Sequence, residues 1–202
     1  MTGDSPIEFW FDFASGYAYF AALEIDAFGQ RVGRRIKWCP YTLGTAFKAT
    51  GSRGLSSTPL KRDYAQKDWQ RIARLRGVPF RLPEHHPSVA LAAIRVFYLI
   101  DDIDPTVAKT FALAVFEAYF THGIDSGNLD HVIALAASLG LDGTNLAAGA
   151  GSEAVKERVK LISQRAVALG IFGSPFFIVD GEPFWGWDRI PMMEEWIERG
   201  GW

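Results

Sequence analysis

Ile171–Arg189, IFGSPFFIVDGEPFWGWDR, decides the fold class. Gly173, Ser174 and Pro175 break the helical pattern before them. Phe176 to Val179 is a short apolar run of the kind that forms a buried strand, and Asp180-Gly181 supplies the positive-φ positions of a two-residue hairpin turn. Glu182 to Trp185 then returns as a second strand. Pro175 follows a small residue at the mouth of a buried strand, where a cis peptide would turn a backbone edge toward a ligand. The run closes with Trp185-Gly186-Trp187-Asp188-Arg189, placing a carboxylate at the start of an amphipathic segment.

A partner for this hairpin stands at the other end of the chain. Ile7 to Phe13, IEFWFDF, is rich in β-branched and aromatic residues and carries few charges, which predicts a central strand. Ala14-Ser15-Gly16 ends it. From Tyr17 to Phe28 the apolar residues recur at helical spacing, and Arg34 to Pro40 predicts a second strand. The unit is strand, helix, strand, with a right-handed crossover if the strands are parallel. Ser15 therefore falls at a helix N-terminus, where it is either a plain N-cap or a donor beside a negatively charged ligand.

Between these ends the pattern is helical. Thr42 to Thr58 predicts a short helix and then a Gly/Ser/Thr-rich loop of the sort that carries ligand contacts. Pro59 to Arg76 predicts a basic helix, solvated for the most part, with a subset of Lys61, Arg62, Lys67, Arg71, Arg74 and Arg76 available to an acidic ligand. Phe80 to Pro87 is a proline-bounded loop. Its adjacent His85 and His86 do not have the i, i+4 spacing of a metal pair and are taken as loop residues, so no metal site is expected. Val89–Ile100, Val107–Phe120 and Leu129–Leu139 follow as helices, Asn145–Ala148 as a short turn, and Ser152 caps a helix to about Leu169.

With 202 residues, 49% hydrophobic and 22% charged, the chain can bury a sizeable core. A formal net charge of −2 argues against nucleic acid as the main partner. The start MTGDSPIEF has neither a basic nor a long apolar region, which predicts a cytoplasmic protein, and no apolar stretch has the length of a membrane span. The lone Cys39 excludes an intramolecular disulfide and dithiol chemistry, and reads as a small buried hydrophobe. The order of elements predicts an α/β fold: a thioredoxin-like domain, residues 5–41 and 165–202, split by an all-helical insertion, residues 42–164.

Three blocks carry a family resemblance: FDFASGYAYFA (11–21), the region from FKATG (47–51) through KRDY (61–64) to KDWQRIARLRGVPF (67–80), and GIFGSPFFIVDGEPFWGWDR (170–189). Together, in this order, they resemble the bacterial 2-hydroxychromene-2-carboxylate isomerase family, related to kappa-class glutathione transferases and more remotely to DsbA-type oxidoreductases. The resemblance implies a glutathione-dependent, dimeric enzyme acting on a small aromatic acid. It places the residue that contacts the glutathione sulfur at Ser15, and a lysine that holds the tripeptide at Lys61. Ser174 becomes the residue whose backbone pairs with glutathione before a cis-proline at Pro175, and Trp187 and Asp188 hold the γ-glutamyl end. Two positions depart from the family. Gly16 stands where proline is common, and Ser52 where an asparagine contacts the ligand.

The reaction implied is the interconversion of 2-hydroxychromene-2-carboxylate and trans-o-hydroxybenzylidenepyruvate, with Ser15 stabilising a thiolate that is mostly protonated when free at neutral pH. Trp10, Tyr17, Phe47, Trp185 and Trp187 are candidates for the pocket wall, against the ordinary alternative that large aromatics fill the core. Two other functions fit the same residues: a kappa-type transferase or peroxidase, and a non-catalytic binding module on a thioredoxin fold. No sequence pattern brings a histidine to Ser15, so a Ser-His-Asp triad is not expected.

Overall fold

The computed structural model describes residues 5–202, and the part of the amino-terminal reading that rests on Met1–Asp4 lies outside them. β1 (Ile7–Phe11) pairs in parallel with β2 (Ile36–Pro40), Ile7 facing Ile36 and Phe9 facing Trp38. On its other side β1 pairs antiparallel with β3 (Phe176–Val179), which makes the hairpin with β4 (Glu182–Trp185). The sheet order is β2-β1-β3-β4. Asp180 (φ 51°) and Gly181 (φ 91°) form the hairpin turn with both central residues at positive φ, as the sequence predicts.

Alternation along β1 explains why so apolar a strand must be central. Ile7, Phe9 and Phe11 face one side, and Phe9 stacks on Phe11 (centroids 4.7 Å) and on Phe177 of β3 (5.4 Å). Phe11 and Phe13 continue into Phe116 (5.4 and 5.1 Å), so the sheet and the helices share one core. Trp10 points the opposite way, into a second cluster with Cys39, Tyr41, Ala166, Ile171 and Phe176. It is 2% exposed and its indole N–H donates to Glu8, which together remove it from the candidate pocket wall. Cys39 is buried there as expected, and burial pushes its thiol up to about 12.

The helices are α1 (Gly16–Ala22), α2 (Ile25–Arg31), α3 (Leu43–Thr50), α4 (Lys61–Arg76), α5 (Leu91–Asp101), α6 (Pro105–Glu117), α7 (Leu129–Ser138), α8 (Gly143–Gly151), α9 (Glu153–Ala168) and α10 (Ile190–Arg199). Seven of them, α3 to α9, lie between β2 and β3 in the chain, giving the thioredoxin-like sheet with its helical insertion. Three details correct the sequence reading. The single helix expected over Tyr17–Phe28 is two, because Glu24 takes φ −130° and its N–H turns to Ala21 O (3.1 Å) before Ile25 and Phe28 return to the core. The short turn expected at Asn145–Ala148 is the full helix α8, capped by Asp142. α6 continues through a π turn, Ala118–His122, which ends at Gly123.

Asp12 joins these elements. Its buried carboxylate accepts from Ala14 N (2.9 Å) and Leu43 N (3.0 Å), fixing the exit of β1 and the start of α3. Burial raises its pKa, and the two backbone donors oppose that rise. Asp12→Asn keeps the shape but turns an N–H toward one of these donors. It is expected to cost about 1–3 kcal/mol in denaturant unfolding, and a variant as stable as the parent would show that the carboxylate is not needed there.

Candidate active site

Ser15 is the N-cap of α1, its Oγ accepting from Ala18 N at 3.2 Å, so the placement expected from the sequence holds. The same hydroxyl donates to Ser174 O at 2.8 Å. Ser174 in turn accepts at its Oγ from Asp12 N (2.9 Å), and the Ser174–Pro175 peptide is cis. The loop after β1 and the segment before β3 are thus tied twice through one serine, once at its side chain and once at its carbonyl. Ser15 N donates to Asp12 O (3.0 Å), closing the knot. Pro175 O accepts from Gly186 N (3.1 Å), which fixes the strand end that leads to Trp187 and Asp188.

The remaining expected residues surround this knot at different depths. Trp187 is half-buried, 6.4 Å from the Phe20 ring, with the Arg76 guanidinium 5.3 Å over its indole. Arg76 is itself paired with Glu24. Asp188 is exposed and reaches Arg189 at 3.5 Å. Lys61, the first residue of α4, and Ser52, just beyond Gly51 at the end of α3, are exposed and make no side-chain hydrogen bond among the described residues. The structure therefore brings Ser15, Ser174 and Pro175 together, and leaves Lys61, Ser52 and Asp188 on the surface. On α4, Arg62 and Arg71 are paired with Asp63 and Asp68.

Gly16 is where the chain accommodates a large ring. A Cβ there would stand 2.8 Å from Trp69 Cε2 and 2.9 Å from Nε1, so the indole lies against the bare glycine. Tyr17 packs edge-on to Trp69 (5.7 Å) and donates to Asp68 (2.8 Å). Burial, then the hydrogen bond to Asp68, raise the Tyr17 pKa. Of the other candidate walls, Phe47 is half-buried, and Trp185 is 56% exposed, edge-on to Phe172 at 4.9 Å.

His86 lies in a loop, as expected, and makes a specific pair of contacts there. Its Nδ1 is 3.0 Å from the fully buried Tyr119 hydroxyl, and its Nε2 is 2.6 Å from Ser56 Oγ. Tyr119 O already accepts from Ser88 N (3.1 Å), so its proton goes to Nδ1, and Nε2–H is left to donate to Ser56. Burial, with His85 beside it, pushes the imidazole down to about 4. The π turn presents Tyr119, more than thirty positions away, and no local pattern reveals that pairing. Among the described residues no group of three or more His, Cys, Asp or Glu side chains fits a metal ion, and no helix is long and apolar enough to cross a membrane.

Residues 6–198 match the family model described as DSBA-like thioredoxin domain. A 2-hydroxychromene-2-carboxylate isomerase from Pseudomonas putida is 30% identical over 96% of this chain and 94% of its own length. A glutathione S-transferase kappa 2 from Caenorhabditis elegans is 24% identical over 98% of this chain and 93% of its own. A solved structure of 2-hydroxychromene-2-carboxylate isomerase superposes with a TM-score of 0.86 at 27% identity, covering 96% of this chain and 95% of the other.

Two outcomes follow from the local geometry. Gly16→Ala is expected to destabilise the protein by about 1–3 kcal/mol through overpacking against Trp69. Combining it with Trp69→Leu should recover part of that loss in a double-mutant cycle, whereas strict additivity would mean the two residues do not press on one another. His86 is held neutral in the fold, with a pKa of about 4 against its ordinary 6.5, so the unfolded chain binds the extra proton between those values. Stability contributed by His86 is therefore present above about 6.5 and falls as the pH is lowered toward about 4. Denaturation of His86→Gln beside the parent should show a smaller loss in this window, and parallel curves would count against the assignment.

Proposed function

The chain belongs to the DSBA-like thioredoxin-domain family and, within it, to the 2-hydroxychromene-2-carboxylate isomerase family, and on that premise we propose that it is a glutathione-dependent isomerase of small aromatic acids. The reaction we assign is interconversion of 2-hydroxychromene-2-carboxylate and trans-o-hydroxybenzylidenepyruvate. The observation that carries the reading is the Ser15–Ser174 hydrogen bond beside a cis-proline, with no cysteine in Ser15-Gly16-Tyr17-Ala18.

The donor set suits the tripeptide. Ser174 offers backbone for strand-like pairing, Lys61 a cation for a carboxylate, and Asp188, beside Trp187, an anion for the α-amino group. Ser52, exposed just beyond α3, offers a hydroxyl. Glutathione when bound supplies a nucleophilic thiolate, whose reversible addition to a conjugated bond permits rotation about it. Ser15 holds one movable proton. That proton stays on Oγ and is directed at Ser174 O, 2.8 Å away. An amide N–H arriving at the same carbonyl would take over that acceptor and release the Ser15 hydroxyl to donate to sulfur. Binding and thiolate stabilisation would then be linked through one carbonyl oxygen. In this reading Ser15 is a donor and not a covalent nucleophile. The reading also carries a cytoplasmic homodimer and a helical insertion over residues 42–164 that closes the substrate side.

The full-length similarity to a kappa glutathione transferase favours a second reading, in which the same site conjugates an electrophile. Formation of a stable conjugate with a model halide, without recycling of glutathione, would separate it from the isomerase.

Ser15→Ala is expected to lower turnover about 10²-fold, the scale of losing one preorganised donor to developing charge, with a much smaller change in the calorimetric Kd for glutathione. Unchanged turnover would refute the role given to Ser15. Absence of glutathione binding by the parent protein would refute the cofactor.

A further inference from the structure

Three indoles in this chain are almost fully buried. Trp10 Nε1 donates to Glu8 (2.8 Å) and Trp38 Nε1 donates to Asp26 (3.0 Å). Trp69 Nε1 has no partner among the described residues, although the residue is 3% exposed. A buried donor without an acceptor costs about 1–3 kcal/mol, and native structures contain few of them. This one lies against Gly16, one residue from Ser15, at the spot a Cβ would otherwise occupy. Its ring is packed by Tyr17 (5.7 Å, edge-on), Phe80 (6.1 Å, tilted) and His86 (5.7 Å, edge-on), so the donor sits in aromatic surroundings.

We propose that the Trp69 indole N–H is a substrate-binding donor, which receives an oxygen of a bound aromatic acid, a carboxylate or conjugated carbonyl, beside Ser15. The proposal rests on the isomerase reading for the identity of the acid, but not for the existence of the donor. An indole N–H donates only and carries no charge, so it favours an oxygen whose negative charge grows during reaction over one that is already fully solvated. Tyr17 is the cover. It is partly exposed and tethered by the single hydrogen bond to Asp68, and the ligand displaces its ring to reach the N–H. Gly16 completes the arrangement, since any side chain there would press on the indole face and shift the donor.

Chroman-2-carboxylate is a suitable probe, because it keeps the ring and carboxylate and lacks the reactive double bond. Proton–nitrogen NMR of the parent protein, with the Trp69 indole signal assigned through its proximity to the Gly16 α-protons, is recorded during titration with the probe, with and without glutathione. The expected result is a downfield movement of that indole proton, and binding weakened about tenfold in Trp69→Phe, the scale of one hydrogen bond to a charged group, with the glutathione Kd unchanged. A signal that moves without glutathione, in a protein that does not bind glutathione, supports the donor while refuting the cofactor. The proposal is overturned if the probe binds and the indole proton stays in place, if no binding occurs under either condition, or if Trp69→Phe loses glutathione affinity as much as probe affinity. The NMR measurement on the parent decides the matter even if Trp69→Phe does not fold.

Discussion

Ser174 receives two hydrogen bonds from the opposite end of the chain, one on its Oγ from Asp12 N and one on its carbonyl from Ser15 Oγ. These contacts span more than 150 positions of sequence and sit at the edge of a core made largely of phenylalanine. Hydrophobic burial is non-directional and sets no register for the loops. The polar groups that the core desolvates do set it, because each must find a partner or forfeit its hydration. Asp12 extends the same constraint to α3 through Leu43 N, so the strand exit, two helix starts and the turn before β3 are held in one arrangement. The candidate site is this arrangement seen from outside.

Much of this was legible in the sequence, for local reasons. The Asp180-Gly181 turn, the Ser15 cap and the Ser152 cap depend on residues a few positions apart, and each is found as expected. The family resemblance assigned Ser15 and Ser174-Pro175 to one site, which no spacing argument supplies. What stayed hidden depends on distant partners. Asp12 looks like a stray polar residue in a strand until Leu43 and Ser174 are placed beside it. Trp10 and Phe9 are equally aromatic, and only the two-sided burial of the sheet sends one to each core cluster. His86 resembles any loop histidine, and its neutrality comes from the burial around it, with His85 beside it.

Gly16 illustrates how one residue makes room for another. It has no side chain beside Ser15, and the indole of Trp69 lies where one would stand. Ser15 keeps its cap and its bond to Ser174 O, so the hydroxyl is placed by partners on either side and not by the conformational restriction of the next residue. Arg76 performs a comparable service on the far side: it joins Glu24, at the head of α2, to the face of Trp187 and so steadies the turn that carries Asp188.

Cys39 gives this scaffold an unusual relation to its surroundings. Thioredoxin-like sheets are widely used for electron exchange, yet the sole thiol of this chain is sealed in the second cluster and held in its protonated form. The protein has no sulfhydryl of its own that an oxidant or disulfide in solution can address. The fold is kept here without a thiol switch on it, so exposure to an oxidant leaves no disulfide record in this chain.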